Sequence, residues 1–119
     1  MRTRTLRFGL YADEQGLAWV RELVEEAVAG SGSARIVTAG VARTFHGSEL
    51  STADVYDMLA DQWAWEHPGQ SSGARESVEL RVRLACSLRA WRRIRKTVIR
   101  TLCPEGMAPH SCRVPWFAS

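Results

Sequence analysis

No stretch of this sequence approaches the ~20 consecutive apolar residues that a membrane-spanning helix needs. Its opening segment, MRTRTLRFGLYADEQG, has no secretory h-region, because Arg4, Arg7 and Asp13 interrupt it. Phosphate loops, Gly-x-Gly-x-x-Gly and His-Glu-x-x-His are all missing, which excludes the nucleotide-binding and zinc-hydrolase devices they carry. Cysteine is sparse and odd in number, so Cys86, Cys103 and Cys112 cannot all pair within one chain. That pattern fits reduced thiols in a cytoplasm. Lysine is nearly absent too. Lys96 stands alone beside fifteen arginines, as codon supply in a GC-rich bacterial genome produces, so the mild basicity (net charge +3) is weak testimony by itself.

What is present describes one folded domain. The chain has 119 residues, 45% hydrophobic and 24% charged, the composition of an ordinary globular protein. Folding a chain of this size buries roughly two-thirds of its surface, enough for a core without disulfide or metal support. The expectation is a soluble, cytoplasmic α+β domain over residues 1–103, followed by an irregular tail over 104–119, with no membrane association and no cofactor.

Charge is distributed unevenly. Ala12 to Ala27 carries Asp13, Glu14, Glu22, Glu25 and Glu26 against Arg21 alone, whereas Leu80 to Pro104 carries eight basic residues and no acid. An anionic partner or self-association could each be served by that asymmetry.

Arg4 to Ala12 alternates Leu6, Phe8 and Leu10 against Thr5, Arg7, Gly9 and Tyr11, the pattern of a half-buried strand. Asp13 suits an N-cap, and Leu17, Val20, Leu23, Val24, Ala27 and Val28 repeat at helical spacing as far as Gly30. Ala34 to Phe45 reads as a strand that Gly40 bends or splits. Ser51 with Asp54 resembles a capping arrangement opening a helix through Val55, Met58, Leu59 and Trp63. Glu76 to Ala85 alternates again, and a helix runs from about Ser87 to Leu102.

The order is therefore βαβαβα. Strands that alternate, instead of being apolar throughout, predict a sheet covered on one face. The expected architecture is a two-layer α+β sandwich with a mixed sheet and all helices on one side. It becomes ferredoxin-like if the middle strand is two.

Three sets of residues could carry function. On the last helix Arg89, Arg92, Arg93, Lys96 and Arg100 recur at spacings of three and four, a cation row able to follow a phosphate backbone. Arg81 and Arg83, with Arg7 and Tyr11, occupy the side of the sheet expected to lie open, where arginine with an aromatic can hold single-stranded nucleic acid. The leading expectation is thus a small binding protein for nucleic acid or another polyanion. The second is a homo-oligomeric assembly module, its acidic first helix meeting the basic last one, with Trp65, Trp116 and Phe117 as a partner surface and an acidic protein as another possible partner. The third is a small hydrolase using Asp13, Glu14 and His46, brought together if strands one and two are parallel. Cys103, His110 and Cys112 have the ligand chemistry for zinc, at a spacing no common zinc module uses.

Overall fold

The computed structural model describes residues 2–43, 49–102 and 114–118. It is an α+β structure with a four-stranded antiparallel sheet and four helices. Strand β1 (Thr3–Ala12) leads into helix α1 (Glu14–Ser31), then β2 (Arg35–Ala42), α2 (Thr52–Val55), α3 (Asp57–Glu66), β3 (Glu76–Ala85), α4 (Leu88–Leu102) and β4 (Trp116–Ala118). The strand order is β2-β3-β1-β4.

Local chemistry accounts for the element boundaries. The Asp13 side chain accepts a hydrogen bond from the Gly16 amide at 2.8 Å, and Gly32 closes α1 in the left-handed conformation (φ 69°) that glycine adopts without strain. Ser51 caps α2 through the Asp54 amide, and Ser87 caps α4 through the Ala90 amide. The helix expected through Val55 and Met58 is broken at Tyr56, whose backbone (φ −108°, ψ 27°) leaves the helical region.

One face of the sheet holds the main core. Leu6, Phe8 and Leu10 of β1 and Val78, Leu80, Val82 and Leu84 of β3 pack beneath Val20, Val24 and Val28 of α1 and Ala90, Ile94, Val98 and Leu102 of α4. Val114 and Cys86 close its ends. Both strands follow the alternation read from the sequence, and the buried sites on α4 recur at intervals of four.

Two expectations about the sheet are corrected. It is not mixed: every pair of neighbours is antiparallel. Strands β1 and β2 do run in the same direction, but β3 lies between them. Nor is it covered on one face only. Helices α2 and α3 sit on the second face, where Thr52 donates to the Ser77 carbonyl at 2.7 Å and the Tyr56 ring lies directly over Gly9. A Cβ placed on Gly9 would stand 2.4–2.6 Å from three atoms of that ring, so only glycine admits the contact. Farther along α3, Trp63 is held between Tyr11 (6.4 Å), the stacked His67 ring (4.5 Å) and the Arg75 guanidinium (4.8 Å).

Trp116–Ala118, expected in an irregular tail, form β4 and pair with Phe8 to Leu10. Strand β2 is the opposite edge. It is exposed over most of its length and carries a register shift between Ile36 and Thr38.

Candidate functional site

The second face divides into two halves. Cross-strand register sets out its rows: Phe117, Gly9, Glu79 and Ala42; then Arg7, Arg81 and Gly40; then Thr5, Arg83 and Thr38. Helices α2 and α3 cover Gly9 and Glu79 of the first row, and Phe117 stays 47% exposed at its edge. The other two rows form the floor of an open depression of about 430 Å³, lined by Thr5, Arg7, Thr38, Gly40, Arg81 and Arg83.

A polar cluster marks the border. Glu79 is fully buried (0% exposed) and accepts hydrogen bonds from the Tyr56 hydroxyl at 2.7 Å and from Arg81 Nε. Burial, then the Glu79 hydrogen bond, pushes the Tyr56 phenol well above its ordinary range. Because the folded value is raised, stability from this group is complete below about pH 10 and declines as pH rises further, where the unfolded chain releases a proton that the folded one keeps. Wild-type protein is therefore expected to lose stability above pH 10 more steeply than Tyr56→Phe, as followed by denaturant titration at a series of pH values. Equal alkaline slopes would remove the buried Tyr56–Glu79 contact.

Arg7 and Arg81 are direct cross-strand partners, an arrangement of like charges that ordinarily destabilises a sheet. Glu79 offsets one of them. Arg7 Nε is buried and has no hydrogen-bond partner among the described residues. Arg83 projects from the next row and is exposed. Among the described residues the face thus carries the guanidinium groups of Arg7, Arg81 and Arg83 beside the buried Glu79 carboxylate.

The cationic surface continues around one end of the molecule. Arg35 pairs with Ala85, and the Arg2 carbonyl accepts from the Cys86 amide, so both arginines lie at the end of the sheet where β3 turns into α4. Arg89 and Arg92 are exposed on the first turns of α4. Residues 2–7, 35–40 and 81–92, which build this end, contain no acid. Arg93, Lys96 and Arg100 are also exposed but lie farther along α4, on the opposite side of the sheet from Arg81 and Arg83. The expected helix row and the expected sheet pair therefore spread over three parts of the surface. Arg81 and Arg83 belong to the sheet face, Arg89 and Arg92 to the end, and the remaining three to the outer helix layer.

Other expected sites are dispersed. Tyr11 is taken up by Trp63 and is no open platform. Trp65 is 88% exposed on the outside of α3, Trp116 turns towards the core, and Phe117 is 47% exposed on the second face, so the three make no single patch. Helices α1 and α4 pack side by side within one chain, with Glu26 and Arg93 lining a common groove, though no ion pair joins the two helices among the described residues. Asp13 and Glu14 line a depression with Arg43 and Glu76, but the Asp13 carboxylate is already committed to capping α1. His46, Cys103, His110 and Cys112 lie outside the described residues. Cys86 is core, and burial raises its thiol pKa.

The loop after α3 spells Gly69-Gln70-Ser71-Ser72-Gly73, the Gly-x-Ser-x-Gly spacing of a hydrolase nucleophile elbow. Such an elbow needs a strand before it and a helix after it. Here a helix precedes and a strand follows, and the exposed Ser71 hydroxyl accepts only from the Gly73 amide at 3.2 Å among the described residues. The geometry is that of a turn.

What sequence reading missed is Tyr56, Glu79 and Gly9. Alternation placed Glu79 on a solvent face, and nothing local announced that α2 would cover it. The comparisons add no assignment: no known protein family, curated protein or solved structure matches this chain.

Proposed function

We propose that this chain binds nucleic acid through its phosphate backbone, using the open half of the sheet face and the adjoining cationic end. The observation that carries the reading is the Arg7–Arg81 pair, two like charges held on directly opposite residues of β1 and β3. An anion laid across that row would relieve their repulsion and accept from both guanidinium groups. Arg83 extends the row along β3, and Arg89 and Arg92 carry it around the end. Several separate contacts spread along a surface suit a chain of phosphates better than one small anion.

The same strand order, with β1-α1-β2 and β3-α4-β4 each skipping a strand and both long helices on one face, supports a ferredoxin-like core. In that reading α2 and α3 are an insertion between β2 and β3. The fourth strand then comes from the end of the chain and not from a division of β2.

The test is fluorescence anisotropy with a labelled oligonucleotide. Four phosphate contacts predict a loss of affinity on the order of 50-fold between roughly 50 and 200 mM salt for a single strand. Arg83→Gln is expected to lower the slope of log affinity against log salt by about 0.7 to 0.9. Affinity independent of salt, or no binding at the lower concentration, sinks the proposal.

Self-association is a second reading, and the edge strand β2 favours it. Seven of its eight residues are uncharged, none is proline, and its outer edge has no strand beside it among the described residues. A mass by light scattering that stays at one chain across concentrations would exclude it.

A further inference from the structure

We infer that the nucleic acid taken by the open sheet half is a single strand, with phosphates on Arg7, Arg81 and Arg83 and a base stacked on Phe117. This rests on the reading above and adds which form of nucleic acid is bound. Phe117 pairs with Gly9, which puts its ring on the second face, one row from Arg7 and Arg81. The ring is 47% exposed although it belongs to a strand. Behind it stands the buried Tyr56 ring, at 6.2 Å and tilted by 46°. One side of Phe117 is thus supported by protein while the rest is open beside guanidinium groups, the combination that holds an unpaired base.

Spacing agrees with that ligand. Arg81 and Arg83 are two residues apart on β3, about 6.7 Å along the strand. An extended single strand repeats its phosphates at a comparable step. The depression itself holds about 430 Å³ over Thr5, Arg7, Gly40, Arg81 and Arg83. A duplex keeps its bases stacked inside and its phosphates on a broad outer cylinder, so it could neither enter nor offer a face to Phe117.

The experiment compares labelled oligothymidylate of about twelve nucleotides, a duplex of similar length, and polyglutamate, at roughly 50 mM salt. Oligothymidylate should bind about tenfold or more tighter than the duplex. Phe117→Leu should weaken oligothymidylate binding by about 5- to 150-fold, the value of one stacked base, and leave duplex binding unmoved. Phe117→Trp should retain wild-type affinity, and its added indole emission should be quenched by oligothymidylate. If Phe117→Leu binds like wild type and Phe117→Trp shows no added quenching while Arg83→Gln weakens binding, the stacking inference falls and the phosphate reading stands. Equal affinity for duplex and single strand also overturns the inference alone. If polyglutamate binds as tightly as oligothymidylate, or if nothing binds, both readings fall together. Circular dichroism and melting of each variant separate lost binding from lost folding. Should Phe117→Leu unfold, the Phe117→Trp quenching decides.

Discussion

Gly9→Val is expected to lower the melting temperature by roughly 10–24 °C. The new Cβ would begin 2.4–2.6 Å from the Tyr56 ring, and that ring cannot retreat freely, because its hydroxyl is bonded to the buried Glu79. Overpacking alone costs about 1–3 kcal/mol. Pulling the hydroxyl away from a charged acceptor adds about 1.5–3 kcal/mol. A total of about 2.5–6 kcal/mol converts at about 4 °C per kcal/mol for a domain of this size. Gly40→Ala is the control, since a Cβ there meets nothing within 4 Å, and its melting point should stay within about 2 °C of wild type. In a Tyr56→Ala background the Gly9→Val cost should largely vanish, which a double-mutant cycle reads directly. A Gly9→Val protein that melts like wild type would mean that Tyr56 is not seated on β1.

Arg81→Met should be about as damaging, for a different reason. It strips the guanidinium from Glu79, a carboxylate with no exposure to solvent, and leaves the Tyr56 hydroxyl as its remaining donor among the described residues. Breaking a buried pair by removing one member costs about 3–5 kcal/mol, more than the pair itself contributes, because an uncompensated charge stays behind. The double variant Glu79→Gln/Arg81→Met should therefore recover most of the loss, as followed by urea denaturation without ligand. If the single variant is mild, or the double variant is no better, Glu79 is not an isolated charge in a dry setting.

These two variants touch the part of the fold that sequence reading could not reach. The alternation of Leu6, Phe8 and Leu10, the β3 run ending at Ala85, the Asp13 cap and the helix from about Ser87 to Leu102 are local patterns, and each element lies where its pattern puts it. Antiparallel pairing of β1 with β3 depends on partners far apart in sequence and leaves no local mark. The same holds for β4: Trp-Phe-Ala is too short to announce a strand, and it becomes one because β1 offers Phe8 to Leu10. Tyr56 was hidden inside a segment that scanned as a single helix, and its docking turned Glu79 from a surface residue into a buried one. For the candidate site, Arg81 and Arg83 were legible from alternation. Their grouping with Arg2, Arg35, Arg89 and Arg92 was not, because it follows from which ends of β1, β2, β3 and α4 the topology brings together.

The strand order also dictates when this protein can acquire its sheet as it leaves the ribosome. β1 emerges first, yet its partners are Glu76 to Ala85 and Trp116 to Ala118. β2, which emerges next, pairs only with β3 among the described strands. Among the described residues, a nascent chain that has reached residue 75 therefore contains two strands and no pairing between them, with Leu6, Phe8 and Leu10 still lacking their β3 partners. At about 5–20 residues per second that interval lasts several seconds, and every pairing that ends it spans a long loop. Sheet formation waits on β3, and residues 116–118 then add a strand to the other side of β1.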